Sequence, residues 1–279
     1  MSQNKPVLVS SKKAGFTVVE ILVIVPIVIL TIGAFIAAAV NMTGEVLASR
    51  GANTLIYNLN DTLARIEQDI KLSNGFLSTN NITLVAPQGS DNSTAAAFQN
   101  VNAAGASLIL DSIATTGNPL ATTHKIIYSK GTTTCSDTQI DRNEPVPVNI
   151  IYFIKNGTLW RRTILPSNYM TNGCDAITQT AAVPWQQPTC APTISGGLCK
   201  TQDTKLMDGM AESTSLSIDY YSTPSSTTPN ANATNVSKTN AERLYALQRT
   251  NTANITINAK ITVAGREINQ SGSIKATIP

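Results

Sequence analysis

The sequence predicts an α+β protein: a long N-terminal helix, apolar in front and amphipathic behind, packed on an antiparallel β-sheet domain with long loops. Three observations predict it. From Phe16 to Val40 the only charge is Glu20. From Leu47 to Ile70 the apolar residues recur at spacings near four, the period of one helix face. After Gly75 the apolar spacing moves towards two, the period of a strand.

The front run is long enough to cross a hydrocarbon core of about 30 Å as a helix rising about 1.5 Å per residue. Lys12 and Lys13 precede it, and no further lysine or arginine occurs until Arg50. The positive-inside rule then leaves the N-terminus in the cytoplasm and the bulk of the chain outside. Pro26 lies within the run and removes a backbone donor, so a local bend or loosening is expected there. Glu20 has two readings on residue type alone. An ionisable group at the edge of an apolar segment is functional by default; it also serves as a partner for the helix N-terminal dipole or reaches the headgroups.

Behind this run, Leu47, Leu55, Leu59, Leu63, Ile66 and Ile70 form a stripe flanked by Ala52 and Ile56. Asp61, Arg65, Glu67, Gln68 and Lys71 fall away from it. Asn74-Gly75 reads as a left-handed stop, so the helix is expected over residues 16–74. Such a spine would protrude at its front and lie on a sheet at its back.

The β-rich domain is expected over residues 75–279. Short strands are expected at Ile82–Ala86, Leu108–Ile113, Lys125–Ser129, Asn149–Ile154, Leu159–Ile164 and Leu216–Tyr221. A final pair, roughly Asn254–Val263 and Glu267–Thr277, turns at Ala264-Gly265. Asn156-Gly157 is a strong type I′ hairpin signal. Around it Ile150, Tyr152 and Ile154 share one face while Ile151 and Phe153 share the other, which predicts a central strand covered on both sides. Residues 92–106 and 222–241 are polar and small; the second, with Pro224 and Pro229, is expected to be the most mobile. Residues 166–200 hold three of the four cysteines and read as a disulfide-pinned excursion.

Lys12-Lys13-Ala14-Gly15 followed by Phe16-Thr17-Val18-Val19-Glu20 resembles the processing site of type IV pilins and pseudopilins. The resemblance implies a leader over residues 1–15, cleavage between Gly15 and Phe16 by a prepilin peptidase, and N-methylation of Phe16. It implies a retained anchor over 18–40, and a Glu20 that pairs with the N-terminal amine of a neighbouring subunit during assembly. An ordinary secretory signal is cut after its apolar region, which is lost; Ala37-Ala38-Ala39 is the stretch that imitates such a cut. Most type IV pilins carry their helix-breaking proline where this chain has Ala37, so the position of any kink differs.

Within the family, Leu63-Ala64-Arg65-Ile66-Glu67-Gln68-Asp69-Ile70 resembles the helix ending of J-type minor pseudopilins of type II secretion and of W-type minor pilins. Ile151–Ile154 with Gly157–Arg162, and Leu206–Met210 with Leu216–Tyr221, are similar to their later strands. The implied role is structural: a minor, low-copy subunit of the filament tip that helps initiate assembly. Its implied partners are other minor and major pilins through the apolar helix, the inner-membrane assembly platform, and the cytoplasmic membrane before assembly. The implied location is a single-pass cytoplasmic-membrane protein, then a cell-surface or periplasmic filament. A tip adhesin, or a competence pilin binding DNA, is the alternative.

The chain has 279 residues, of which 13% are charged, with a net charge of +3, too small to argue for nucleic acid by itself. Cys135, Cys174, Cys190 and Cys199 lie in the part placed outside, without the spacing zinc requires, so they read as disulfide candidates with three possible connectivities. No catalytic motif occurs, so no enzyme, cofactor or small-molecule substrate is expected. Asp137, Asp141, Asn143 and Glu144 read as a solvated acidic turn rather than a calcium loop. His124 reads as a partly exposed histidine. Trp160-Arg161-Arg162 alternates along a strand, which puts Arg161 opposite its two neighbours and argues against one DNA-binding patch.

Overall fold

The computed structural model describes residues 17–82, 98–102, 105–127, 145–166, 185–189, 200, 202–211 and 214–279. The chain divides into two compact units, Met1–Ser49 and Arg50–Pro279. Helix α1 runs over Val18–Lys71, unbroken through Pro26.

In the first unit the large apolar side chains of α1 face outward: Leu30 is 72% exposed and Phe35 76%. Two of its threonine hydroxyls are satisfied inside the helix. The Thr31 hydroxyl donates to the Ile27 and Val28 carbonyls, and the Thr43 hydroxyl to that of Ala39. No polar group of these threonines therefore needs water, which suits an apolar surround.

In the second unit the same helix buries one stripe: Leu55, Leu59, Thr62, Leu63, Ile66, Asp69 and Ile70. These spacings of three and four keep the residues on a single face. The stripe stops at Leu55; Leu47 is 45% exposed, contrary to the sequence expectation, and lies in the first unit. The helix also ends earlier than expected. Leu72 N–H is shared between the Gln68 and Asp69 carbonyls, and both the amide and the hydroxyl of Ser73 bond to the Ile70 carbonyl. The last turn tightens instead of reversing. Neither Asn74 nor Gly75 takes a positive φ, because Asn74 N–H is drawn at 2.7 Å to the Asp111 carbonyl and Gly75 already belongs to a strand.

Five antiparallel strands follow in simple order: β1 (Gly75–Phe76), β2 (Ser107–Ile113), β3 (Pro147–Lys155), β4 (Thr158–Ile164) and β5 (Thr204–Asp208). The β3–β4 turn has Asn156 and Gly157 both at positive φ (51° and 74°), as the type I′ signal requires. β3 is the middle strand and is buried on both faces. Leu108, Leu110, Ile150, Tyr152 and Ile154 join the helix stripe in the main core. Ile109, Ile151, Phe153 and Ile164 form a second cluster on the other side, covered by Phe98 and Leu244.

The second sheet is also antiparallel, in the order β6 (Leu216–Tyr221), β7 (Thr252–Val263) and β8 (Arg266–Thr277). Ile218, Ile255 and Ile257 carry its inner face into the same main core. β8 lies close against the helix, since a Cβ on Gly272 would come within 2.9 Å of Leu63 and 3.0 Å of Leu59. Glycine is what that approach requires. The sheets meet where Gly209, at φ 83°, accepts from Lys260 N–H at 2.8 Å.

Helix α2 (Asn240–Leu247) was not expected from periodicity. Thr239 and Glu242 build a reciprocal capping box at its start. Its Leu244 packs on the second cluster and its Ala246 and Leu247 on the main core. The preceding stretch, expected to be a mobile loop, is tied to the sheet: Asn230 N–H donates to the Tyr220 carbonyl at 2.7 Å, its side-chain amide donates to Ala246, and Ala233 is fully buried. The strand expected at 82–86 lies outside the described residues beyond Ile82; of the one expected at 125–129, residues 125–127 are described and run extended beside the end of β2, with Ile126 bridged to Thr115 and Ile127 bonded to Ala114 and Val146.

Candidate functional site

Each end of α1 carries a polar arrangement: a capping contact at its start and a buried ionic contact at its end. At the start, Thr17 precedes the first helical residue and Glu20 sits three positions on. The Thr17 amide donates to Glu20 Oε2 at 2.8 Å and its hydroxyl does so at 2.9 Å, while Glu20 N–H donates to Thr17 Oγ1 at 3.3 Å. This is a second capping box. Helix starts leave N–H groups without partners, and Glu20 supplies an anion where the dipole favours one. Both residues are exposed. Of the site residues expected from sequence, Glu20 is therefore placed in the first turn of an outward-facing apolar helix. Gly15 and Phe16 lie outside the described residues, as do Cys135, Cys174, Cys190 and Cys199 and the acidic turn at Asp137, Asp141, Asn143 and Glu144. One helix near the N-terminus is long and apolar enough to span a membrane.

At the other end of α1, Asp69 occupies the buried stripe three residues after Ile66. Its Oδ2 accepts from Arg161 Nε at 2.6 Å and from Tyr152 Oη at 2.5 Å. Arg161 and Asp69 are almost wholly buried and Tyr152 fully so. Burial, with Asp69 beside it, pushes the Tyr152 hydroxyl well above the usual tyrosine value, Arg161 pulling the other way. Burial alone would lower Arg161; Asp69 and Tyr152 outweigh it and hold the guanidinium charged. Arg161 also donates to Thr163 at 3.1 Å. Nearby, burial and the charges of Arg161 and Arg65 lower Lys200.

Arg162 points to the opposite face of β4. Its Nη2 lies 2.6 Å from Asp203 Oδ2, and its guanidinium sits 5.0 Å from the Phe153 ring and 5.3 Å from that of Phe98. The two arginines are thus separate, buried and each paired with an aspartate, so they present no surface to nucleic acid. Sequence reasoning left Asp69 and Asp203 without a role. For Asp69 the signal was present: it is the one acidic residue in phase with Leu55, Leu59, Ile66 and Ile70.

Two surface hollows carry no reactive pair. One of about 300 Å³ is lined by Asn230, Asn232, Lys238, Glu242, Tyr245 and Arg249. There Lys238 pairs with Glu242 at 3.2 Å and Arg249 stacks on Tyr245 at 4.1 Å. The other, of about 380 Å³, includes Lys71 and His124. Lys71 is bound to Glu67 at 2.6 Å, and His124 Nδ1 lies 2.6 Å from the Ala121 carbonyl. Among the described residues no three His, Cys, Asp or Glu side chains converge as a metal site.

Comparison with known proteins yields no matching family model, no matching curated protein and no matching solved structure.

Proposed function

We propose that this chain is a minor, low-copy type IV pilin or pseudopilin of the J or W type, a structural subunit of the filament tip that helps start assembly. The observation that carries the reading is the order of residues at the helix start. Gly15 and Phe16 are followed by Glu20 in the first turn, and behind it lies a helix whose apolar side chains face outward. A soluble helix of this kind would bury such a surface.

The capping box suggests how Glu20 works. Within one chain its carboxylate holds the Thr17 amide and hydroxyl. Cleavage after Gly15 would free a charged amine on Phe16. In a medium of low dielectric the amine of one subunit and the Glu20 carboxylate of its neighbour attract strongly, and an unpaired charge is costly. That contact sets the stagger between subunits. The buried Asp69 contact keeps the β domain fixed to the back of the helix while the front is handled by the membrane and by neighbours.

Two measurements test the reading. N-terminal sequencing of the mature protein is expected to begin at Phe16; any other start overturns it. Glu20→Ala is expected to leave the protein in the membrane fraction but absent from sheared filaments. Undiminished recovery of the variant in filaments would contradict the assigned role.

A further inference from the structure

A sheet edge exposes unpaired backbone groups and invites another strand, so folded proteins shield their edges. Among the described residues, three of the four sheet edges here are shielded. β1 is two residues long, and the chain beyond it is bonded through Asn100 N–H to the Ser78 carbonyl. β5 is five residues long and carries Lys205 paired with Asp208 at 2.7 Å. At β6 the Asn102 side chain imitates a strand, donating to the Ile218 carbonyl at 2.9 Å and accepting from Ile218 N–H at 3.1 Å.

β8 carries charged side chains only towards its ends, Glu267 paired with Lys260 at 2.6 Å and Lys275 donating to the Ser226 carbonyl at 2.9 Å, and its middle has no such cover among the described residues. The strand is twelve residues long, and from Ile268 to Ile274 it carries no charge and no proline. Ile278 N–H bonds to the Asn251 carbonyl, in register with Thr252 opposite Thr277. Antiparallel pairing alternates, so the even-numbered residues of β8 bond inward to β7. The N–H and C=O groups of Glu267, Asn269, Ser271, Ser273 and Lys275 then point outward. No described residue bonds to them. The side chains of these five residues are exposed as well, whereas Ile268, Gln270, Gly272 and Ile274 are half-buried.

We propose that this edge pairs with the same edge of a second copy of the chain, antiparallel, with Ser271 opposite Ser271. The strand complements itself in that register and in no other that centres on a residue. Glu267 faces Lys275, Asn269 faces Ser273, and on the half-buried face Ile268 faces Ile274. A parallel, in-register pairing would set Glu267 against Glu267 and Lys275 against Lys275, which is unfavourable. The contact is isologous and closes at two copies. It uses no residue of the N-terminal helix, so it goes beyond the filament reading and stands or falls separately from it.

The test is cysteine crosslinking of the full chain in detergent under mild oxidation, scored against the chain without an added cysteine. A hydrogen-bonded antiparallel pair sets its Cα atoms about 5.5 Å apart, within the span of a disulfide. Ser271→Cys is expected to give a reducible dimer at least several-fold more abundant than Asn269→Cys or Ser273→Cys alone, while mixing those two single variants restores it. Equal crosslinking at all three positions, or none at Ser271→Cys, overturns the proposal. Because the apolar helix can also associate, Asn269→Pro serves as a second variant: it removes an outward N–H from an edge strand, where proline is tolerated. With the thermal transition retained, loss of the Ser271→Cys crosslink in the Asn269→Pro background supports the pairing, and its persistence sinks it.

Discussion

Helix α1 carries two regions of opposite character. Over 18–49 its large apolar side chains are exposed and its threonines bond to their own backbone. Over 50–71 it buries Leu55, Leu59, Leu63, Ile66 and Ile70 and commits a carboxylate to a buried ion pair. Secondary structure is the same in both; what differs is the pattern of polar residues around the turn. A helix that is apolar on all sides has no preferred soluble partner, whereas a striped one fixes which face packs and against what. The difference teaches that helix formation says little here about role, and that the period of the apolar residues says most of it.

The largest expected effect comes from breaking the ionic contact of the back region. Asp69→Ala leaves Arg161 charged and buried and Tyr152 without its acceptor, and is expected to cost about 3–5 kcal/mol. Denaturant titration of the full chain in detergent, followed by a sheet signal, measures it. Replacing Asp69, Arg161 and Tyr152 together with Leu, Met and Phe is expected to recover most of that loss, since the uncompensated charge goes too.

A smaller effect sharpens the contrast directly. Ile66→Ala empties a fully buried site and is expected to cost about 2–5 kcal/mol. Ile24→Ala, in the exposed front, is expected to change the same unfolding midpoint by less than about 0.5 kcal/mol. Similar losses from both would abolish the distinction between the regions.

The smallest effect concerns the sheet on which the back region ends. Burial raises the Asp111 carboxyl above its usual value. An acid raised on folding adds stability below its unfolded pKa and loses it as pH rises through the folded one. Asp111→Asn removes that dependence. The variant is therefore expected to match or slightly exceed the wild type at pH 7, with its advantage closing as pH falls below about 4. Unfolding midpoints between pH 3 and pH 7 check the sign.

Much of this was legible in the sequence, where one period dominated. The central hairpin was readable because Asn156-Gly157 allows only a few turns and the apolar residues on both sides alternate. Leu216–Tyr221 was read with its observed bounds, and the final hairpin to within two residues, for the same reason. Helix α2 was missed although Thr239-x-x-Glu242 is a capping signature, because eight residues give too few turns for a clear stripe. The stop at Asn74-Gly75 was misplaced because a carbonyl of β2, 37 positions away, competes for the Asn74 amide. The phase of the stripe marks Asp69 as buried, but the partners of Asp69 and Asp203 are not legible from local pattern, since they lie 92 and 41 residues distant. At the helix start, Glu20 is legible from its isolation among apolar neighbours, and its spacing of three from Thr17 is that of a capping box.

Adjacent arginines that point to opposite sides of β4 have a consequence for how that strand is threaded. Were β4 to slip by one position against β3, every side chain would change sides. Arg161 would be delivered among Phe98 and Phe153, and Arg162 beneath the helix, each away from its aspartate. Apolar residues alone would punish such a shift weakly here, because both layers are greasy and either would accept an isoleucine. The tandem cations therefore act as a tooth-and-notch gauge, permitting a single threading of a strand whose hydrophobic residues would tolerate two.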